Sequence, residues 1–332
     1  MNVSALLPQP APVLDAATPA PGRSCPLAYR YSAKVFDRPA DLQADTLYVV
    51  GGLYGNPFAL DAIEALFALE SGTKRMAFNG DFHWFDVDSA LFSSINARVH
   101  QYTALRGNVE TELASDVQDA GCGCAYPSHV TDADVARSNA ILQRLRETAR
   151  QHPIQRSALV TLPMHAVAQV GTARIGVVHG DAQSLAGWQF DPAALDDPAN
   201  RPWLDSVFAQ ARVDAFASSH TCAPALRHWQ GKNGQSHAVI NNGAAGMGHA
   251  PGHTHGTITR ISMHPAPPGV AVLNETRLHG VYLQAVRIDF DNARWQSQFL
   301  TQWPPGSAAH VSYWPRITGK PAASIVPVAT TV

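Results

Sequence analysis

Six stretches of this chain share a pattern in which a short apolar run ends in small residues and a side chain that can bind a metal or a substrate. The clearest run is Met76-Ala77-Phe78, which Asn79-Gly80-Asp81 follows at once. Such runs predict buried strands of a parallel sheet, and open α/β sheets place their sites at the carboxyl ends of such strands. The other five stretches are residues 48–52, 105–108, 176–180, 216–220 and 239–243. We therefore expect one sheet edge, or rim, that collects all six strand ends.

The composition limits the partners of the chain. Of its 332 residues, 45% are hydrophobic and 15% are charged, and the formal net charge is −2 with no run of Lys or Arg. This balance disfavours nucleic acid and anionic membrane surfaces as partners. No segment approaches the roughly 18 uninterrupted apolar residues of a membrane span, and the N-terminus lacks the features of a secretory signal. We therefore expect a cytoplasmic protein with no nucleic-acid and no membrane partner.

The chain is long enough for one large domain or two small ones. Its first residues are rich in Ala and Pro, which predicts a disordered tail over 1–24. No linker divides the remaining residues, so we predict a single domain over 25–318 and a C-terminal tail over 319–332. Four cysteines are too few for a disulfide framework in a chain of this size, and we expect them to be reduced thiols. They are Cys25, Cys122, Cys124 and Cys222.

Helical patterns alternate with the predicted strands. A helix is expected to begin after Asn56, which can cap it, with Pro57 in its first turn. Apolar residues recur at helical spacing over 88–99 and most clearly over 131–152. After a β-prone stretch at 280–290, the remaining residues predict an irregular, proline-rich end of the chain.

In chain order, the six strand ends resemble the motifs of the calcineurin-like metallophosphoesterases. The family's series reads Asp-x-His-Gly-Asn, Gly-Asp, Gly-Asn-(His/Cys)-(Glu/Asp), Gly-His or His-Gly, Gly-His-x-His and Asn-Pro-Gly-Ser. The matching stretches here are Gly52-Leu53-Tyr54-Gly55-Asn56, Gly80-Asp81, Gly107-Asn108-Val109-Glu110, His179-Gly180, Ser219-His220-Thr221-Cys222 and Asn241-Asn242-Gly243-Ala244. The resemblance spans about residues 47–262 and implies an α/β fold, a four-layer αββα sandwich of two mixed β-sheets flanked by helices.

The resemblance implies the ligands of one divalent metal ion. In the family two metals share the Gly-Asp carboxylate, and the second metal adds the Asn, the strand-end His and the first His of Gly-His-x-His. Those positions hold Asp81, Asn108, His179 and His220. Carboxylate, amide and imidazole ligands with open positions suit Mn(II), Fe(II) or Zn(II).

The ligands of the family's other metal are missing. Gly52, Tyr54 and Cys222 stand where the family has Asp, His and the last His. Asp81-Phe82-His83 repeats the Asp-x-His spacing, so His83 and Cys222 are candidate ligands for a rebuilt second site. The simpler interpretation of His83 is a packed or hydrogen-bonded side chain. Tyr54 either donates a hydrogen bond to a substrate oxygen or plugs the empty metal position.

Four further residues are candidates for substrate binding: Arg106, Asn242, His253 and His255. Arg106 binds a phosphate or pairs with Glu110. The stretch Gly252-His253-Thr254-His255 spells Gly-His-x-His, but it follows the family's last motif. We therefore interpret its two histidines as rim residues that meet a substrate phosphate, with an ordinary solvated loop as the alternative.

The resemblance implies a metal-dependent hydrolase of phosphomonoesters or phosphodiesters with a reduced, mononuclear metal site. Asp81, Asn108, His179 and Tyr54 are its predicted catalytic residues, and a small phosphorylated molecule is its predicted partner. The sequence is compatible with a homodimer but does not indicate one. The alternative is a non-hydrolytic protein of the same fold, either a binding or regulatory protein or a mononuclear metalloenzyme of different chemistry. The replacement of two metal-binding side chains by Gly52 and Tyr54 favours this alternative. The presence of all four ligands of the other metal favours the hydrolase.

Overall fold

Two mixed β-sheets form the centre of the molecule. The computed structural model describes residues 20–117, 119–232 and 234–320, and the elements named below lie within these residues. The strands are β1 (Leu42–Ala44), β2 (Thr46–Val50), β3 (Lys74–Asn79), β4 (Thr103–Leu105), β5 (His165–Val170), β6 (Ala173–Val178), β7 (Ala215–Ser218), β8 (Ala225–Gln230), β9 (Ser236–Asn241), β10 (Gly256–Ser262), β11 (Val272–Leu278) and β12 (Val281–Ile288).

Helices follow most of the parallel strands. They are α1 (Pro57–Ala68), α2 (Ser89–Val99), α3 (Asn108–Ala114), α4 (Asp132–Arg150), α5 (Pro153–Val160), α6 (Pro192–Asp196), α7 (Arg201–Ala211), α8 (Asn292–Gln302) and α9 (Ala308–Ile317). Short 3-10 helices occur at Leu27–Tyr29, Ala33–Phe36 and Pro198–Asn200.

Each sheet has six strands and contains a parallel set. The first sheet has the order β11-β12-β10-β2-β3-β4, in which β2, β3 and β4 are parallel. The second has the order β1-β5-β6-β7-β9-β8, in which β6, β7 and β9 are parallel. The six predicted strand ends therefore lie at the carboxyl edges of two parallel sets, one in each sheet.

The alternation of side chains explains how the two sheets pack. In β2, Leu47 and Val49 join a buried cluster with Ala215 and Ala217 of β7, whereas Tyr48 points away from the second sheet. Successive strand residues face opposite sides, so one face of each sheet meets the other sheet. The contacts between the sheets are made largely by Ala, Val, Leu and Ile.

The outer faces of both sheets are covered by helices. Residues of α1, α2, α4, α8 and α9 form one apolar cluster with the outward side chains of β2 and β3. Residues of α7 form another with Phe216 of β7 and Val239 of β9. Helix, sheet, sheet and helix succeed one another, which confirms the predicted four-layer αββα sandwich.

The prediction of an irregular C-terminal segment, which was based on its prolines, is wrong. Residues after 290 form α8 and α9, whose first turns are capped by the side chains of Asp291 and Ser307. Trp295 and Phe299 recur at helical spacing, which is the sequence pattern that indicates a helix here. Both side chains are buried. Pro315 lies in the last turn of α9 and does not prevent the helix.

Several local expectations can be compared with the structure. The Asn56 side chain accepts hydrogen bonds from the backbone N–H groups of Phe58 and Ala59, and α1 begins at Pro57 as predicted.

Cys122 and Cys124 form a disulfide, so the expectation that all cysteines are reduced thiols is wrong for this pair. The two residues lie on one tight loop. Cys25 and Cys222 are free.

The predicted tails fall mostly outside the described residues. Of the predicted N-terminal tail, 1–24, only residues 20–24 are described, and the Arg23 guanidinium donates to the carbonyls of Pro127 and Val130. Of the predicted C-terminal tail, only Gly319 and Lys320 are described. Among the described residues, none of the helices has the length and apolar character needed to cross a membrane.

A buried ion pair joins β10 to the segment after α1. The guanidinium of Arg260 makes two bonds to the carboxylate of Glu70, at 2.7 and 2.9 Å, and a third to Gln284. Tyr48 donates a further hydrogen bond to Glu70. Arg260 is fully buried, so its charge depends on these partners. Removing one partner of such a pair leaves an uncompensated buried charge.

We predict that Glu70→Ala lowers the free energy of unfolding by about 3–5 kcal/mol, measured by urea denaturation. Asp196→Ala is the matched control, because Asp196 makes a similar two-bond pair with Arg227 at the surface. The control should lose no more than about 1 kcal/mol. Equal losses in the two variants would contradict the importance of burial.

Candidate functional site

The parallel strands of both sheets end at one shared rim. The Asn79 side chain, at the end of β3, donates to the carbonyl of Val178 at the end of β6, at 2.6 Å. The backbone N–H groups of Ser219 and His220 donate to the carbonyl of His179. The first bond ties the two sheets together, and the other two join the ends of β6 and β7 within the second sheet, where the predicted ligands follow their strands. The residues after β3, β4, β6 and β7 are thereby brought to one place.

Four predicted metal ligands converge at this rim. The Nε2 atom of His179 lies 3.0 Å from Asn108 Oδ1, 3.1 Å from His220 Nδ1 and 3.4 Å from Asp81 Oδ1. All four side chains are buried, with exposures between 1% and 7%. The structure therefore brings together the complete set that the sequence assigned to one metal ion.

Main-chain carbonyls orient the two imidazoles. His179 Nδ1 is 2.9 Å from the carbonyl of Asn79, and His220 Nε2 is 3.0 Å from the carbonyl of Cys124. A carbonyl only accepts hydrogen bonds, so we assign the ring proton of each histidine to the nitrogen that faces its carbonyl. The other nitrogen of each ring then faces the centre of the site. Such outer hydrogen bonds are typical of histidines that bind metals.

Asn108 is oriented in the same way. Its amide nitrogen donates to the carbonyl of Cys122 at 2.9 Å, which turns its oxygen towards His179. Two imidazole nitrogens, an amide oxygen and a carboxylate oxygen thus face one another. Four electron-rich atoms in one buried place need a proton or a cation between them.

The charges at the site follow from this crowding. Burial and the neighbouring His179 lower the pKa of His220 to about 3, so His220 is neutral. Burial alone would lower the pKa of His179, but the Asp81 carboxylate raises it above the ordinary imidazole value. The raised pKa of His179 favours a proton on its Nε2, which faces the other three acceptors, when no cation is bound.

The geometry fits a divalent cation. Ligand atoms about 2.1 Å from a shared ion lie about 3.0–3.4 Å apart in octahedral and tetrahedral arrangements. The three distances from His179 Nε2 span the same range. Ligand atoms of Asp81, His179 and His220 all lie within 4.8 Å of one another. A cation would replace the shared proton with little movement of the side chains.

The carboxylate of Glu110 holds the loop that carries Asp81. It accepts hydrogen bonds from four backbone N–H groups, at distances of 2.8–3.2 Å. The donors are Asp81, Phe82, His83 and Gly107. Burial raises the pKa of Glu110, and Asp81 raises it further, but these donors favour its ionised form. Asp81 has a φ of 54°, a conformation that is strained for a residue with a side chain and that these bonds stabilise.

Gly80 allows the chain to pass close to its neighbours at this point. Its φ is 99°, and a Cβ atom there would lie 2.5 Å from the backbone nitrogen of Gly107 and 2.7 Å from His179 Nδ1. Only glycine both adopts this positive φ readily and leaves room for these two neighbouring atoms. Asp81 can therefore follow β3 directly and still reach His179.

Tyr54 lies where the resemblance implied the ligands of a second metal. A Cβ atom on Gly52 would lie 2.9 Å from the Tyr54 ring, so this ring covers the position at which the resemblance implied a carboxylate. The Tyr54 hydroxyl lies 2.7 Å from the sulfur of Cys222. Burial raises the pKa of both groups, which keeps them neutral. Tyr54 therefore packs on Gly52 and contacts Cys222, and both roles expected for it stay predictions.

The structure does not bring His83 to the site. Its Nδ1 is 2.6 Å from Asp86 Oδ2, its Nε2 is 3.3 Å from Asn96 Oδ1, and its ring stacks on Phe92. Both nitrogens are therefore used in a buried cluster beside α2. The simpler sequence interpretation, a packed and hydrogen-bonded histidine, is the one the structure matches.

Arg106 and Asn242 support the backbone around the site and do not line its cavity. The Arg106 side chain donates to the carbonyl of Val160, whereas its expected partner Glu110 is engaged by backbone N–H groups. The Asn242 side chain donates to the carbonyls of Gly51 and Thr257. Their expected role in substrate binding has no support from these contacts.

His253 and His255 lie in a different cavity. They form a cluster with His249, which the sequence analysis missed, and none of the three lines the cavity that contains Asp81 and His220. Burial and its two histidine neighbours lower the pKa of His249 to about 4. The prediction that His253 and His255 lie at the rim, which rested on the resemblance of their segment to Gly-His-x-His, is therefore wrong.

The cavity at Asp81 is narrow and has aromatic walls. Its volume is about 30 Å³, enough for an ion or a water molecule but not for a whole substrate. Trp84, Tyr126, Trp188 and Tyr313 line it together with Arg316. The Arg316 guanidinium donates to the carbonyls of Gly248 and Cys222. Sequence reasoning missed Tyr313 and Arg316 because their segment was predicted to be irregular.

We predict that Glu110→Gln disrupts the site. A glutamine offers one acceptor oxygen and places an NH₂ group against backbone donors, so the unfolding free energy should fall by about 3 kcal/mol. Metal content after incubation with Mn(II) or Zn(II) should also fall, because the Asp81 loop is released. Glu64→Gln, which removes a charge from a partly exposed pair with Arg98, is the control. A stable Glu110→Gln protein with unchanged metal content would contradict this role.

Comparison with known proteins agrees with this architecture. No known family model and no curated protein sequence matches the chain. Among solved structures, it is similar to a hypothetical protein from Pyrococcus horikoshii OT3, with 14% identity, a TM-score of 0.53, and 80% of this chain and 96% of that chain covered. A metallophosphoesterase from Sphaerobacter thermophilus matches over the same shares, with 15% identity and a TM-score of 0.49. The fold, two mixed six-stranded sheets flanked by helices, is therefore shared with the Pyrococcus horikoshii protein.

Proposed function

We propose that this protein is a metal-dependent hydrolase of phosphoester bonds with a mononuclear site. The observation that carries the proposal is the convergence of four buried side chains, Asp81, Asn108, His179 and His220, with the other three ligand atoms 3.0–3.4 Å from His179 Nε2. A divalent ion, Mn(II), Fe(II) or Zn(II), would polarise a phosphoryl oxygen and lower the pKa of water there.

The residues of the chain would prepare this site in three ways. Asp81 supplies the negative charge, and the carbonyls of Asn79 and Cys124 fix the imidazoles so that their free nitrogens face inward. Burial removes competing water, which strengthens each of these interactions. Tyr54, proposed as catalytic from the sequence, would donate to a substrate oxygen only if it left Cys222.

The shape of the cavity favours a small phosphorylated substrate. Because the cavity has a volume of about 30 Å³ and would hold the ion, only a phosphoryl oxygen would reach into it while the rest of the substrate stayed at the mouth. Arg316, held beside the cavity by two carbonyls, would attract the phosphate. The aromatic side chains of Trp84 and Trp188 would contact the organic part.

One observation favours a second candidate, a metal-binding protein of this fold that does not hydrolyse phosphoesters. The Tyr54 ring covers the position at which the resemblance implied a carboxylate, and Val109 stands where the family often has an acid for the leaving group. A lone cation lacks the clamp that two metals give to attacking and leaving oxygens. Catalysis would therefore be weaker than in a two-metal enzyme.

The deciding experiment measures hydrolysis of p-nitrophenyl phosphate and bis(p-nitrophenyl) phosphate with Mn(II), Fe(II) and Zn(II), together with metal content. We expect about one metal per chain at the rim and activity that falls about 100-fold or more in Asp81→Asn and His179→Ala. His264→Ala, an exposed histidine, is the control and should keep the activity. If the wild type binds metal but is as inactive as the variants with every metal, the non-hydrolytic candidate replaces the hydrolase.

We also predict that metal binding at the rim releases a proton. Asp81 raises the pKa of His179 above the ordinary value of about 6.5, so at pH 6 the metal-free site carries a proton that the cation must displace. Affinity should therefore fall as the pH falls below the raised pKa of His179, by up to about tenfold per unit. Calorimetric titration at pH 6 in buffers of different ionisation enthalpy measures the release. Heats that are independent of the buffer would contradict it.

A further inference from the structure

A second cluster of metal-binding side chains lies on the segment between β9 and β10. His249, His253 and His255 each offer a ring nitrogen, and these atoms lie within 4.8 Å of one another. His253 Nδ1 is 3.3 Å from His249 Nε2, and the three ring centroids are 4.8–6.0 Å apart. Three imidazoles at these separations resemble the protein part of a three-histidine zinc site.

One ring nitrogen of this cluster has no partner inside the described part of the protein. The Nε2 atom of His255 is buried and makes no hydrogen bond there, although the side chain is only 7% exposed. Buried polar atoms are nearly always satisfied, and each one that is not requires an explanation such as a missing ion. A metal ion at the cluster would supply the explanation here.

The backbone of the segment is held in place. The N–H of Gly252 donates to the carbonyl of Gly319 at 2.7 Å, and Asn292 donates to the carbonyl of Thr254 at 2.9 Å. The carbonyl of Gly248 accepts from Arg316 at 3.1 Å. The three histidines therefore project from a backbone that α8 and α9 hold in position. His249 and His253 are half-buried, so their rings can turn the short distance needed to close around an ion.

The surroundings indicate which ion the cluster would take. The cluster opens into a cavity of about 370 Å³, which Arg227 and Arg287 also line. A site of three imidazoles beside two guanidinium groups is unsuited to Mg(II) or Ca(II), which require oxygen ligands. Zn(II) and similar ions prefer imidazole nitrogen, and three protein ligands leave a fourth position open towards the cavity.

We propose that His249, His253 and His255 bind one Zn(II) ion at a site separate from the Asp81 rim. This site does not depend on the proposed hydrolase function. None of its ligands lines the Asp81 cavity, and none belongs to the six strand-end stretches.

The test uses the full chain with His179→Ala and His220→Ala, which removes both imidazoles from the rim. Titration with Zn(II) should still give one bound ion per chain. Co(II) in place of Zn(II) should give the visible absorption of a four-coordinate ion with three nitrogen ligands from the protein. Adding His253→Ala should weaken binding at least about tenfold, whereas adding His264→Ala should not. Loss of Zn(II) in the double variant, or retention after His253→Ala, would overturn the proposal.

Wild-type protein provides a second measurement that does not depend on the stability of the double variant. Elemental analysis after equilibration with Zn(II) should give about two ions per chain in the wild type and about one in both His253→Ala and His255→Ala. His179→Ala should also fall to about one, because it affects only the rim. Wild-type and His253→Ala proteins with equal zinc content would exclude the three-histidine site, whatever the outcome for hydrolysis.

Discussion

The carboxylate of Glu110 is the interaction on which the rim depends most. Its two oxygens accept four backbone hydrogen bonds, three from the loop after β3 and one from the turn that begins α3. Those two segments carry Asp81 and Asn108. Because the donors are backbone groups, the carboxylate fixes the path of the chain and not only the position of one side chain. The strained backbone of Asp81 persists because this network determines it.

The two sheets complete the arrangement. β3 and β4 of the first sheet supply Asp81 and Asn108, whereas β6 and β7 of the second supply His179 and His220. The small apolar side chains between the sheets let their carboxyl edges meet, and the bond from Asn79 to the carbonyl of Val178 joins them there. The ligand set therefore exists only where the two layers are in contact.

The rim is asymmetric in a way that has chemical consequences. One side has four oriented acceptors, whereas the other side has a tyrosine ring packed over Gly52 and a protonated thiol. A neutral hydroxyl and a neutral thiol do not attract a cation as a carboxylate and an imidazole do. The mononuclear proposal follows from this difference, and the three-histidine cluster lies in a cavity apart from the rim.

The sequence by itself determined the strand ends, because apolar runs and the residues that follow them are local features. The sandwich and the set Asp81, Asn108, His179 and His220 came from the resemblance of these strand ends to the motifs of a known family. The sequence did not determine how those residues are oriented. The carbonyls that turn His179 and His220 inward come from residues 100 and 96 positions away, at Asn79 and Cys124. The burial of His83, the contact of Tyr54 with Cys222 and the place of Arg316 likewise depend on contacts between distant segments. Only the tertiary structure decided these points, since a local pattern specifies which side chain follows a strand but not which distant atoms will meet it.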